Sequence, residues 1–181
     1  MDEKERDQRI NEYVYKVLIP EGTLLYIGIG RHPEHQFISD LIKKGYKITV
    51  LEVYEPYIPI AKAYLDNKYP NNGIRWVIGD IRNADQIFKE TFDLVVWSHG
   101  PEHIRKEEFM LTMHKLVNLA NKQVFTNCPY GVYTQNGIAG NEYETHFSHL
   151  YPEDFKGFIT ATFGEKDSCK GSLIAYLNKG A

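Results

Sequence analysis

Two hydrophobic patterns alternate along this chain. Short unbroken apolar runs, the mark of buried strands, are separated by segments whose apolar positions recur every three or four residues, the mark of amphipathic helices. The opening segment, Asp2 to Val17, carries Ile10, Tyr13, Val14 and Val17 at helical spacing, and Pro20-Glu21-Gly22 ends it. Leu24–Ile27 reads as the first strand. Beyond Gly28 and Gly30, Pro33 suits a helix's first turn, where its missing N–H is no loss. Phe37, Ile38, Leu41 and Ile42 then form an apolar stripe, closed by a cap at Gly45.

The second strand is Lys47–Val53, and Pro59 begins a helix with Ile60, Ala61, Tyr64 and Leu65 on its inner face. Ile74–Ile78 is the third strand, ending in Gly79-Asp80, with a short helix around Ala84–Phe88. The fourth strand, Asp93–Trp97, is almost wholly apolar, as a central parallel strand covered on both faces should be. Helix Lys106–Leu119, inward at Phe109, Met113, Leu116 and Val117, leads into a fifth strand at Gln123–Thr126. A long polar loop, Asn127–Ser148, breaks the rhythm, and loops of this length in a compact domain are usually functional or mobile. A short helix at Tyr151–Phe155 precedes two strands, Phe158–Phe163 and Ser172–Leu177, joined through Gly164–Ser168 as a hairpin. This order predicts an α/β fold: a mostly parallel sheet with one antiparallel strand. Residues 1–22 supply a helix packed on a single domain spanning 23–181.

Composition narrows the function classes. A length of 181 residues suits one domain with a substantial core, and a net charge of −3 argues against a broad nucleic-acid footprint. No apolar run approaches the ~20 residues of a membrane span. Met1–Arg9 is charged with mixed sign, unlike a signal peptide. Cys128 and Cys169 show no metal-ligand spacing and read as reduced thiols. A cytoplasmic protein, monomer or homodimer, follows. The thirteen tyrosines are the unusual count, and many fall near strand ends or in loops, where some can line a cleft.

The chemistry begins at Leu24–Gly30. An apolar strand meets Gly28 and Gly30, a helix follows, and a second strand ends on Glu52, the layout of a nucleotide-binding βαβ unit. The glycines permit a sharp turn and close approach by a ligand. A carboxylate at the tip of the second strand can accept from ribose hydroxyls. Asp80 follows the third strand either as a ligand contact or as a helix cap. Glu55, before Pro56, is the weaker alternative to Glu52.

Taken together, Tyr26-Ile27-Gly28-Ile29-Gly30, Glu52, Val77-Ile78-Gly79-Asp80-Ile81 and Phe92–His103 resemble the class I S-adenosylmethionine-dependent methyltransferases over about Thr23–Asn178. The resemblance implies a Rossmann-like seven-stranded sheet, mostly parallel with an antiparallel last strand, and helices on both faces. It implies S-adenosylmethionine as cofactor, held by Tyr26, Gly28, Gly30, Glu52, Asp80, Ile81 and Ser98. Two departures stand out: Tyr26 occupies the place of the usual acid before the first glycine, and the third glycine is replaced near Arg31-His32. Asn127-Cys128-Pro129-Tyr130 looks like the Asn-Pro-Pro-Tyr motif of amino-group methyltransferases but follows the fifth strand, not the fourth, and is set aside.

The implied reaction is methyl transfer to an oxygen or nitrogen of a small-molecule acceptor, with no nucleic acid or membrane involved. Its needs are alignment and, for a hydroxyl, removal of a proton. Histidine suits that task near neutral pH, and His146, His103 and His99 are the candidates, in that order. The glycine-bearing stretch Gln135–Ser148 suits a lid. Metal ligation by His99, His103 and a carboxylate lacks a compact ligand cluster in the sequence, and no metal is expected. The alternatives are a non-catalytic or degenerate S-adenosylmethionine-binding protein, supported by Tyr26, and a NAD-type oxidoreductase, disfavoured by the missing third glycine.

Overall fold

The structure, a computed structural model, describes residues 3–31 and 36–180. Asp2 and Pro33 lie outside the described residues. Chain order is α1 (Glu3–Val17), β1 (Thr23–Ile27), α2 (Gln36–Lys43), β2 (Lys47–Glu52), α3 (Tyr57–Lys68), β3 (Arg75–Ile78), α4 (Ala84–Ile87), β4 (Phe92–Ser98), α5 (Lys106–Leu119), β5 (Ala120–Pro129), β6 (Ile159–Phe163) and β7 (Ser172–Asn178). The seven strands form one sheet in the order β3-β2-β1-β4-β5-β7-β6. Strands β1 to β5 are parallel, while β7 inserts antiparallel between β5 and β6.

Side chains of successive strand residues point to opposite faces, and each face has its own core. Leu24, Tyr26, Ile48, Val50, Leu94 and Val96 meet α1, α2 and α3 on one side. Leu25, Ile27, Leu51, Val95 and Trp97 meet α4 and α5 on the other. A fully buried leucine here contributes roughly 1.5–3 kcal/mol over an exposed one. In α1, Val14 is buried, and Ile10, Tyr13 and Val17 pack beside it, so the N-terminal stripe docks as its spacing predicts.

Four elements differ from the sequence reading. Helix α3 starts at Tyr57 rather than Pro59; its buried face runs Tyr57, Ala61, Leu65, leaving Ile60 55% exposed. Pro59 is tolerated because first-turn N–H groups have no partner within a helix. Strand β5 extends to Pro129, because Asn127, Cys128 and Pro129 pair with Ile174, Leu173 and Ser172 of β7. Around Asp80, a 3-10 turn at Ile81–Asn83 precedes the brief α4. The segment after Tyr151 is also one 3-10 turn, Pro152–Asp154, rather than a longer helix.

Candidate active site

Strand order reverses between β1 and β4, and a crevice opens beyond the carboxyl ends of the strands on either side of such a point. Here it is a cleft of about 1000 Å³. Tyr26, Gly28, Gly30, Glu52, Asp80, Ile81, Ser98, His99, His103 and His146, the residues singled out from sequence, all line it. Its walls also include Arg6, Ile10 and Val14 of α1, and Tyr133, Gln135 and Glu144 of the long loop.

Glu52 ends β2 and is buried, 4% exposed. Its Oε2 accepts from the Ile29 N–H at 2.8 Å and the Gly30 N–H at 3.3 Å; its Oε1 accepts from the Tyr54 N–H at 2.8 Å. Burial raises its pKa, against the opposing effect of those three donors. A carboxylate has about four lone-pair sites, so Oε1 retains room for one more donor. Gly28 and Gly30 have φ of 76° and 65°, and a Cβ built on either meets no heavy atom within 4 Å. The space that a side chain would fill therefore belongs to the cleft, beside the acid.

Asp80 serves the cap as well as the cleft wall. Its Oδ1 accepts from the Arg82 N–H at 2.8 Å, and the Arg82 guanidinium grips both carboxylate oxygens. Ile81 is buried next to it. Tyr26 is 4% exposed and packs 6.1 Å from Phe37, ring to ring. Burial pushes its phenol well above the ordinary range, with a hydrogen bond from Ser98 opposing, so no negative charge stands where the resembling family has an acid.

The wall of the cleft beyond β4 is built by the long loop folding over the segment after that strand. Phe147 and Ser148 N–H groups donate to the Glu102 carbonyl at 2.8 and 3.0 Å, and Ser148 Oγ donates to the Ile104 carbonyl at 2.6 Å. The Arg105 guanidinium covers the Phe147 ring at 5.0 Å. This docking brings His103 and His146 to a centroid distance of 4.9 Å. His103 Nδ1 lies 3.2 Å from the Thr145 carbonyl and His146 Nδ1 2.7 Å from the Tyr133 carbonyl. A carbonyl has no proton to give, so each Nδ1 is the donor and the neutral ring keeps its lone pair on Nε2. Burial lowers both imidazole pKa values, favouring those neutral rings.

Glu102 escaped the sequence reading as a site residue. It is 3% exposed, its Oε2 has no hydrogen-bond partner, and burial pushes its pKa up to about 8. One of its carboxylate oxygens and one nitrogen each of His103 and His146 all lie within 4.8 Å of one another. The compact cluster that the sequence did not show thus forms across about forty residues of chain, with His146 in the place considered for His99. His99 sits at the rim, its side chain 66% exposed, 3.8 Å from Glu102 Oε1. A carboxylate followed by a histidine at the mouth of a central parallel strand was the available signal.

Compared by sequence, the chain matches no protein-family model and no curated protein. Solved structures do resemble it. Magnesium protoporphyrin IX methyltransferase from Synechocystis PCC 6803, with S-adenosylhomocysteine bound, superposes with a TM-score of 0.68 at 14% identity, over 98% of this chain and 83% of that one. The fold is that of S-adenosylmethionine-dependent methyltransferases. One such methyltransferase from Clostridium acetobutylicum matches over 100% of this chain and 93% of its own, with a TM-score of 0.65 at 12% identity. The 1,6-didemethyltoxoflavin-N1-methyltransferase of Burkholderia thailandensis, with that molecule and S-adenosylhomocysteine bound, matches over 99% and 78%, with a TM-score of 0.62 at 13% identity. At such identities the shared property is the fold. Among the described residues, no helix is long and apolar enough to cross a membrane.

Proposed function

We propose that this protein is a methyltransferase that takes S-adenosylmethionine as donor and methylates an oxygen or nitrogen of a small-molecule acceptor. The observation that carries the reading is the open backbone cradle at Gly28 and Gly30, set directly against Glu52 at the reversal point of the sheet. Glu52 Oε1 accepts a ribose hydroxyl, Asp80 and Ile81 border the adenine, and Tyr26 and Ser98 border the amino-acid end. The cofactor supplies a methyl carbon activated by its sulfonium. The chain's own part is to align the acceptor and, where it is a hydroxyl, to take its proton.

His146 leads for that proton, followed by His103, because each neutral ring has its Nδ1–H fixed by a carbonyl and its lone pair on Nε2. His99, exposed at the rim, is third. The lining from α1 and the long loop sets acceptor choice, since both face the cleft. A cytoplasmic monomer or homodimer completes the reading.

Parallel calorimetric titration with S-adenosylmethionine, S-adenosylhomocysteine and NAD tests it. Binding of the first two with no uptake of NAD is expected. Preference for NAD overturns the proposal. Binding without turnover across a broad panel of hydroxyl and amine acceptors favours the non-catalytic alternative, for which the neutral Tyr26 is the specific support.

A further inference from the structure

We propose that Glu102, His103 and His146 form a binding site for one divalent transition-metal ion on the acceptor side of the cleft. The site itself does not depend on the methyltransferase reading; only the role of its ion rests on that reading.

Three independent features point the same way. The first is convergence: three atoms of metal-ligating type, from two distant parts of the chain, lie within 4.8 Å of one another. The second is the orphaned Glu102 Oε2, buried with no hydrogen-bond partner. An unpaired buried carboxylate is costly, and a cation is the partner that relieves the cost. The third is the orientation of the rings. Both histidines lend Nδ1 to a backbone carbonyl, the outer-shell arrangement that fixes the tautomer of metal-bound imidazole and leaves Nε2 to coordinate.

The ligand set selects the ion. Two imidazoles and one carboxylate suit zinc, iron, cobalt or nickel, whereas magnesium and calcium prefer oxygen alone. Tetrahedral ligand atoms about 2.1 Å from an ion stand about 3.4 Å apart, so the widest pair, within 4.8 Å, has to close by up to about 1.4 Å. His146 is carried on the long loop, whose docking onto Glu102 runs through backbone hydrogen bonds close to the site. Three protein ligands would leave coordination positions open to the cleft, where an acceptor oxygen would bind with its pKa lowered and its proton would pass to solvent. The ion would then take over the part proposed for His146 and His103, whose Nε2 lone pairs it engages.

The test uses the full chain, freed of metal by a chelator and titrated with cobalt(II), with S-adenosylhomocysteine titrated in parallel. Visible ligand-field absorption saturating at a single ion per chain, displaced by zinc and not by comparable magnesium, is expected. Glu102→Gln and His146→Gln should each weaken cobalt binding by about tenfold or more, while His114→Gln on the exposed face of α5 leaves it unchanged. If Glu102→Gln fails to fold by circular dichroism, His146→Gln decides alone, since it lies on the loop. Cobalt binding that survives both variants, or displacement by magnesium as effective as by zinc, overturns the site. Binding of S-adenosylhomocysteine with no cobalt signal overturns it too, yet leaves the proposed activity standing. Cobalt binding without S-adenosylhomocysteine uptake supports the site and removes the activity.

Discussion

Glu52 illustrates how one side chain can hold a loop and face a cleft together. Its carboxylate gathers the N–H groups of Ile29, Gly30 and Tyr54, which fixes the turn after β1, and one lone pair remains toward the cleft. Glu52→Ala removes both roles. Affinity for S-adenosylhomocysteine should fall by about 1–3 kcal/mol, the scale of charge-assisted hydrogen bonds, read by calorimetric titration; unchanged affinity would take Glu52 out of the site. Gly28 acts by absence. With φ at 76° and open space around its missing Cβ, an added side chain costs about 1–2 kcal/mol in backbone conformation and projects where the ligand approaches. Gly28→Val, shown folded by circular dichroism, should therefore lose binding beyond detection. A folded variant that binds normally would place the ligand elsewhere.

At the scale of elements, the turn after β3 couples the cleft to stability. Burial pushes the Asp80 pKa up, but the hydrogen bonds and charge of Arg82 outweigh it and hold the carboxyl below its ordinary value. A folded pKa below the unfolded one adds stability above the ordinary carboxylate range, and that contribution drains as pH falls through the folded pKa. Asp80→Asn should thus be less stable than the parent at neutral pH by a constant margin, which closes only below about pH 4. Urea unfolding from pH 7 to pH 3 reads this, and parallel curves throughout would mean that ionisation of Asp80 carries no stability. Elements were legible in the sequence where their cause is local. The stripe of α5 at Phe109, Met113 and Leu116 and the apolar run of β4 state their own burial. What escaped depends on distant partners. The last residues of β5 pair with β7, and the meeting of Glu102 with His146 depends on a loop docked by contacts such as the Phe147 and Ser148 N–H groups donating to the Glu102 carbonyl. The βαβ unit announced the half of the cleft at the strand ends, whereas the other half comes from a loop with no periodicity to read.

In the whole molecule, the cleft is where both ends of the fold meet. Helix α1 contributes Arg6, Ile10 and Val14, the long loop contributes Tyr133, Gln135 and Glu144, and the strand ends form the floor. Arg6 Nη1 donates to the Lys170 carbonyl at 2.9 Å, tying the N-terminal helix to the β6–β7 connection. A ligand in this cleft therefore touches parts that unfold separately only if those ties are broken. Because the unfolded chain has no such cleft, ligand at a hundred times its Kd adds about 2.7 kcal/mol of stability. For a domain of this size that is a rise in Tm of about 5–10 °C. S-adenosylhomocysteine should produce a rise of this order, growing with the logarithm of its concentration. Hydrogen exchange locates the effect: amides of 135–147 and of α1 should slow together, since both walls close on one ligand. Protection of the loop after β1 alone, with α1 and 135–147 unchanged, would confine the ligand to the strand ends and leave the acceptor walls independent of it.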